Sequence, residues 1–301
     1  MSSSQNASAQ LNKNLLILHF TVFIWGFTGI LGNLITMTAV NLVWYRVLIA
    51  FATLFLYFKF NKKHFSIDRS TFLKLILTGA LVGGHWILFF QAIKVSNVSI
   101  TLVCLSSTTL FTAIFEPLIN RKPISKLEIL SGILIIIGIV LIFKFETQYT
   151  LGITLGLLCA SASSLFSIIN SRQVKTTHPT IISFYELIGA FFWITIYMLL
   201  SGTFTDLQIP QGEDIGYLII LGTICTSLAY VAGVSVMREL SAFKVALITN
   251  LEPVYGIVMA FMFFGDLHTM SIGFWAGAVV ILSTIFLFPV VQRNIGRLKN
   301  R

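Results

Sequence analysis

The sequence is poor in charged residues, and above all in acidic ones. Only 10% of its 301 residues are charged, with 11 Asp and Glu against 20 Lys and Arg, whereas 56% are hydrophobic. A soluble domain has about a quarter of its residues charged. A mean hydropathy of +0.90 also leaves too little polar surface to face water on all sides. The composition therefore excludes an ordinary soluble protein and predicts an integral membrane protein.

The sequence also lacks the residue clusters that metal sites, disulfide frameworks and common enzyme motifs require. Its three cysteines, Cys104, Cys159 and Cys225, lie in separate apolar runs without metal-ligand spacing. His85 and His268 have no partner at the spacing of a zinc-protease helix, and no phosphate loop or nucleophile elbow is present. We therefore expect buried, reduced cysteines, no metal, no cofactor and no enzymatic activity.

Long apolar runs, in contrast, are abundant. A bilayer core about 30 Å thick needs roughly 20 apolar residues per helix, and ten runs come close to that length. They lie at about 14–36, 40–59, 71–92, 97–119, 126–144, 150–171, 179–201, 213–236, 241–264 and 269–290. None shows the strict alternation of a transmembrane β-barrel. The sequence thus predicts an all-α integral membrane protein with ten transmembrane helices.

The basic residues lie beside every second connection between these runs. All but three of the 20 Lys and Arg follow this pattern, and the exceptions are Arg46, Lys94 and Lys144. Positive charge marks cytoplasmic loops, so both termini are predicted to be cytoplasmic, in the inner (plasma) membrane. Membrane topology thereby explains the excess of basic charge, and we expect no nucleic acid as a partner. The N-terminus has no recognised signal peptide.

The fourth and fifth runs resemble the ninth and tenth at a spacing of 145 residues. Ser96 then matches Ser241, and Gly132 matches Gly277. Each repeat holds five helices, an odd number, so the second repeat is predicted to be inverted in the membrane. The predicted organisation is a cytoplasmic polar tail at 1–13, a first five-helix repeat at 14–145, a second at 146–290 and a basic cytoplasmic tail at 291–301.

Four stretches carry a family resemblance. They are FIWGFTGILGNLI at 23–35, WYRVLIAF at 44–51, HWILFFQAIKVSNVSITLV at 85–103 and LEPVYGIVMAFMFFGD at 251–266. With them, the chain resembles the EamA-type members of the drug/metabolite transporter superfamily over about residues 14–290. The resemblance implies membrane transport of small metabolites, often amino acids or related compounds.

The chain departs from the family pattern at two places in its first repeat. Thr108 occupies the slot of Pro253, so the expected helix-breaking proline is absent there. Arg121 stands where the family often has Glu, whereas the second repeat has Asp266. The two repeats are therefore expected to contribute differently to a site.

Glu252 is the strongest candidate for a functional residue, because ionisable side chains within a span are costly. It lies about 11 residues from either end of its run, near the midplane. Pro253 cannot donate to the carbonyl of Thr249 and is expected to break the helix. We expect Glu252, Asn250 and Tyr255 to bind substrate. Proton coupling through Glu252 is a hypothesis, and a structural pair with Arg46 or His85 is the alternative.

Other polar residues complete the predicted site. His85 and Trp86 could contact a substrate, or could be a histidine bonded to a neighbouring carbonyl and a packing tryptophan. Arg46 and Glu186 are coupling or gating candidates, and Arg46 could instead snorkel to the interface. The remaining substrate-binding candidates are Ser107, Thr108 and Tyr185. The small residues CASASS at 159–164 are interpreted as helix packing.

Together these observations predict a secondary transporter that moves a small polar metabolite by alternating access. An amino acid is the favoured substrate and export the favoured direction. A facilitative or uptake carrier, an intramembrane enzyme and a non-transporting scaffold are the alternatives. The expected partners are a small-molecule substrate and the lipid bilayer, and the chain is expected to be a monomer or a homodimer.

Overall fold

The computed structural model describes residues 3–62, 66–121, 126–264 and 270–299, and within them the chain is all-helical. The bounds of the helices are α1 Ser3–Leu34, α2 Ala39–Phe60, α3 Arg69–Val95, α4 Val98–Leu105, α5 Thr108–Asn120, α6 Lys126–Phe145, α7 Thr150–Gln173, α8 Pro179–Leu200, α9 Glu213–Gly222, α10 Ala229–Val236, α11 Ala242–Thr249, α12 Leu251–Phe264 and α13 Ile272–Lys299. A 3-10 turn, Thr147–Tyr149, precedes α7. A π-helical segment, Thr223–Leu228, joins α9 to α10. Asp266 and His268 lie outside the described residues.

Eight helical segments of the described chain are long and apolar enough to cross a membrane. They are Leu11–Leu34, Ala39–Phe60, Arg69–Val95, Val98–Asn120, Thr147–Gln173, Pro179–Leu200, Glu213–Val236 and Ala242–Phe264. Two further apolar stretches, Leu130–Ile142 and Ile272–Phe288, are shorter. The multi-pass helical membrane fold is therefore confirmed, with eight candidate spans where the sequence predicts ten.

The predicted tails are parts of the first and last helices. The first helix already begins at Ser3, before the apolar run. The last helix continues to Lys299, past the end of the last apolar run. The polar composition of these segments therefore ends the apolar runs without ending the helices, because residues such as Gln, Lys and Arg are good helix formers.

Two membrane-length segments are interrupted at matching positions. The pairs α4–α5 and α11–α12 have equivalent bounds, since Val98 and Ala242, Leu105 and Thr249, and Asn120 and Phe264 are each 144 residues apart. Side chains cap both first halves: Asn97 accepts from Ile100 N, and Ser241 from Lys244 N. The helix bounds thus favour a spacing of 144 residues here, one less than the sequence comparison indicates.

The first interruption arises without a proline. Hydroxyl groups satisfy carbonyls there: Thr108 Oγ1 donates to Leu105 O at 2.8 Å, and Ser106 Oγ to Leu102 O at 3.3 Å. Short polar side chains compete with the helix for its own backbone groups, which explains the break. The second interruption occurs where the sequence predicts a helix break at Pro253, because Asn250 ends α11 and Pro253 lies in the first turn of α12.

The helices pack in corresponding pairs. Helix α3 lies against α7 and α8, and the π segment with its flanking helices α9 and α10 lies against α1 and α2. In the same way α4 and α5 pack on α7, and α11 and α12 on α1. The helix α6 packs on α13, where a Cβ at Gly138 would meet Gly277 O at 2.8 Å, and one at Gly277 would meet Gly138 O at 2.5 Å. The two halves of the chain therefore make equivalent contacts.

Glycines bring α3 and α8 into backbone contact. A Cβ at Gly79 would lie 2.5 Å from Glu186 O, and one at Gly189 would lie 2.6 Å from Ile76 O. Small residues permit such close approach of membrane helices. On α3, which also contains Gly79, a Cβ at Gly84 would meet nothing within 4 Å.

We predict that Gly79→Ala destabilises the protein and that Gly84→Ala does not. The added methyl at position 79 collides with backbone that cannot move alone, at a cost of about 1–3 kcal/mol. At position 84 the same change is free of contacts and gains about 0.5–1 kcal/mol of helix propensity. Thermal unfolding of the two variants in detergent measures the difference. An equal or higher unfolding temperature for Gly79→Ala would contradict this packing.

Candidate functional site

A cavity lies beside both helix interruptions. Its lining comes from α1, α2, α3, α7, α10 and the two interrupted segments. The polar and charged lining residues are Thr28, Arg46, His85, Ser106, Thr108, Ser163, Ser167, Asn170, Thr249, Asn250 and Glu252. Five aromatic side chains join them: Trp25, Trp86, Phe89, Phe166 and Tyr230. The cavity lining thus combines polar and aromatic side chains from several helices.

Glu252 and Asn250 lie at the second interruption and face this cavity. Glu252 is the second residue of α12 and is 7% exposed. Its carboxylate therefore lies in the first turn, where the helix dipole favours a negative charge. Asn250 Nδ2 donates to Thr109 Oγ1, on the first turn of α5. This hydrogen bond joins the two interruptions across the protein interior.

Arg46 is buried on the α2 side of the same cavity. Its Nε donates to Thr226 Oγ1 at 2.6 Å, and its Cζ lies 4.3 Å from the centre of the Trp86 ring. A second ring, Phe90, lies 5.4 Å away. The side chain is only 1% exposed, so it does not snorkel to the membrane surface. Cation–π contacts replace part of the hydration that the guanidinium loses.

His85 contacts a neighbouring helix through one ring nitrogen. Its Nδ1 lies 3.0 Å from Cys159 O and 3.1 Å from Cys159 Sγ. A carbonyl only accepts, so Nδ1 carries the proton in this bond and Nε2 of the neutral ring is an acceptor. The ring also packs against Phe89 and Phe166. The structure therefore combines both interpretations: His85 is bonded to a carbonyl and also lines the cavity.

Glu186 lies behind the cavity wall. It is fully buried, and its Oε2 accepts from Tyr230 Oη at 2.8 Å and from Asn170 Nδ2 at 3.1 Å. Asn170 Nδ2 also donates to Tyr230 Oη at 3.2 Å. Both partners line the cavity, so Glu186 positions two lining side chains without lining it itself.

The structure separates the predicted site residues into two groups. Those that line the cavity are Glu252, Asn250, Pro253, His85, Trp86, Thr108 and Arg46. Those that do not are Glu186, Ser107, Tyr185 and Tyr255. Ser107 is fully buried within the first interruption, and Tyr185 packs on Phe72 and Phe184. Tyr255, three positions after Glu252 in α12, packs its ring on Phe23 of α1 instead.

Several lining residues escape sequence reasoning. Ser163 belongs to the CASASS stretch that the sequence assigns to packing, yet it lines the cavity. Asn170 lies at the end of its predicted run, where polar groups are ordinary, and Tyr230 lies within an apolar run as a residue typical of helix packing. Thr226 does not line the cavity but accepts from Arg46, and it is placed by the π segment, in which its Oγ1 donates to Leu221 O, five residues earlier, at 2.6 Å. The only available signal is that serines and an asparagine recur along one face of α7.

At the opposite end of the bundle, a set of hydrogen bonds ties the α1–α2 connection to neighbouring segments, and we call this set the α1–α2 clamp. It consists of Asp214, Gln208 and Lys94 holding residues 35–38. Asp214 accepts from Thr36 N at 3.0 Å and from Thr36 Oγ1 at 2.7 Å. Gln208 Oε1 accepts from Thr38 N at 2.8 Å, and Lys94 Nζ donates to Ile35 O. The cavity lining instead reaches Met237 and Val245, at the α10–α11 connection.

Metal ligands do not gather anywhere in the described residues. No three His, Cys, Asp or Glu side chains come together in that part of the chain. The cavity itself offers one carboxylate, one histidine and one guanidinium on different helices. This arrangement can bind charged and hydrogen-bonding groups of a small molecule.

Comparison with known proteins agrees with this architecture. The model of the EamA-like transporter family matches residues 12–144 and 150–289. An "Uncharacterized transporter" of Archaeoglobus fulgidus is 23% identical over 292 residues, covering 94% of this chain and 99% of that protein. A protein of known crystal structure has the same fold, with a TM-score of 0.68 at 13% identity over 93% of this chain and 99% of that one. The chain is therefore a multi-pass membrane protein that belongs to the EamA-like transporter family.

Proposed function

We propose that this protein is a secondary transporter that moves a small polar metabolite across the inner (plasma) membrane by alternating access. The observation that carries the proposal is the cavity, which joins both helix interruptions to a buried carboxylate. Interrupted helices at a central cavity are typical of secondary transporters, because unpaired backbone groups can bind substrate there. An amino acid remains the favoured substrate and export the favoured direction.

The architecture behind this proposal is a ten-helix bundle built from two inverted five-helix repeats. Three observations support it. The interrupted segments have equivalent bounds 144 residues apart. The helices pack in corresponding pairs, and the family model matches the chain in two stretches of similar length. In this architecture α6 and α13 complete the set of ten, although their apolar stretches are shorter.

The structure supports a cavity that faces the cytoplasm. Both termini are proposed to be cytoplasmic, which places the α10–α11 connection inside and the α1–α2 connection outside. The cavity lining reaches the α10–α11 connection, whereas the α1–α2 clamp lies at the other end. Alternating access then requires the clamp to open while the cytoplasmic side closes.

Glu252→Gln tests the role of the carboxylate. We expect initial substrate flux in proteoliposomes to fall roughly tenfold or more, since hydrogen bonds to charged groups contribute about 1.5–3 kcal/mol. If Glu252 also carries the coupled proton, the variant loses the pH dependence of the wild-type flux. Glu239→Gln removes an exposed carboxylate outside the cavity and serves as the matched control. Wild-type flux with an unchanged pH profile in Glu252→Gln would refute the proposed site.

Asp214→Asn tests the clamp. The amide cannot accept both bonds from Thr36, so the closed outer end loses stability and the population shifts toward the opposite state. The reporter is Ala246→Cys, which lies on the cavity lining, in a parent whose three native cysteines are buried. A membrane-impermeant maleimide is applied to the cytoplasmic side. We expect it to react with the reporter cysteine about threefold or more slowly in Asp214→Asn than in the parent. A threefold change in population corresponds to under 1 kcal/mol.

Asp206→Asn is the control for this experiment. It makes the same substitution at an exposed residue of the α8–α9 connection that takes no part in the clamp. The clamp predicts a slower reaction only for Asp214→Asn. Equal rates in the two variants would show that Asp214 does not hold the outer end closed.

A further inference from the structure

Arg46 is the largest fully buried side chain in the described part of the chain. It lies on the cavity lining, together with Trp86 and Glu252. A buried guanidinium is costly unless its charge and its donors are compensated. The partners of Arg46 therefore indicate whether the protein alone compensates the charge and the N–H donors of this side chain.

The protein satisfies only part of the Arg46 side chain. A guanidinium has five N–H donors, and the structure shows one hydrogen bond, from Nε to Thr226 Oγ1. Thr226 uses its own proton on Leu221 O, so toward Arg46 its hydroxyl acts as an acceptor. Arg46 Nη1 is buried and has no hydrogen-bond partner among the described residues. Nη1 thus remains available for an acceptor that the described residues do not supply.

The surroundings fix the guanidinium in place. Trp86 lies 4.3 Å from Cζ, Phe90 lies 5.4 Å away, and Thr226 holds Nε from the third side. Two neighbouring rings and one hydrogen bond to Nε hold the planar fork without using Nη1. An oriented, partly unbonded guanidinium matches a carboxylate, which accepts two parallel N–H bonds.

Glu252 supplies the complementary charge elsewhere on the lining. Arg46 belongs to α2 and Glu252 to the first turn of α12, so the two charges come from different halves of the chain. A ligand with an anionic and a cationic group can compensate both. A polyamine would meet repulsion at Arg46, and a dicarboxylate would meet it at Glu252.

We propose that Arg46 is the anion-binding group of the cavity and holds the carboxylate of a zwitterionic ligand whose ammonium group binds Glu252. The inference rests on the proposed transport function and narrows its substrate to small molecules that carry both charges. The five aromatic lining side chains surround the remaining, less polar part of such a ligand. Arg46 thereby becomes a specificity-determining residue and not a gating ion pair.

The test compares matched ligands on the purified full-length protein. α-Amino acids with apolar, aromatic and polar side chains are titrated beside their amides, which lack the carboxylate, and their N-acetyl derivatives, which lack the ammonium group. Stabilisation against thermal unfolding reports binding. We expect at least one amino acid to bind saturably, and its amide and N-acetyl forms to bind roughly tenfold or more weakly, because each leaves a buried charge without its partner.

Two variants assign the groups to their residues. Arg46→Gln should bind the amide and the acid equally, and Glu252→Gln should bind the N-acetyl form and the free amino acid equally. Arg46→Lys keeps the charge but not the planar fork, so it should bind the acid with intermediate affinity. This variant provides the test if Arg46→Gln does not fold. Arg238→Gln, at an exposed position outside the cavity, should retain wild-type selectivity.

Three results would overturn the inference. They are an amide that binds wild type as well as its acid, an acid-over-amide preference that survives in both Arg46 variants, or a wild type that binds no member of the panel. A titration with chloride in gluconate buffer provides a fourth such result. Saturable stabilisation by chloride that depends on Arg46 would assign the site to an inorganic anion. Selective binding without flux in proteoliposomes would instead refute the transport function and leave the zwitterion site standing.

Discussion

The fold depends on the requirement that every backbone polar group inside a bilayer has a partner. Regular helices meet this requirement by themselves, and the two interruptions do not. They occur side by side in the interior, where Asn250 donates to Thr109 Oγ1 across them. One is satisfied by hydroxyl groups and the other is enforced by Pro253. Residues of both interruptions line the cavity, so the candidate binding site and the irregular backbone lie together.

Electrostatics inside a low-dielectric bundle explains why so few charges line the cavity. Arg46 is compensated by aromatic rings and by one threonine, and Glu252 by a helix N-terminus. Glu186 lies one layer further out, where two hydrogen bonds from cavity-lining side chains reach one of its oxygens. Of these three side chains, only Arg46 and Glu252 line the cavity, so these two are available to one another or to a ligand.

Sequence reasoning finds residues that are chemically out of place but cannot give their direction on a helix. Glu252, Asn250, Arg46 and His85 stand out in apolar runs, and all four line the cavity. Tyr255 stands out equally yet packs on Phe23, because its direction depends on where α12 begins. The first interruption and the π segment have no proline or glycine of their own to announce them. Both arise from hydroxyl side chains that also occur in regular membrane helices.

The π segment Thr223–Leu228 has a consequence for how this protein can evolve. A π-bulge contains one residue more than a regular helix of the same length needs. Loss of any single residue there would restore a regular helix and rotate everything beyond it by about 100°. Tyr230 and Gly233 would leave the cavity lining together, and Arg46 would lose Thr226. A one-residue deletion at this segment is therefore equivalent to replacing one whole wall of the cavity, whereas many single substitutions along α10 leave that wall in place.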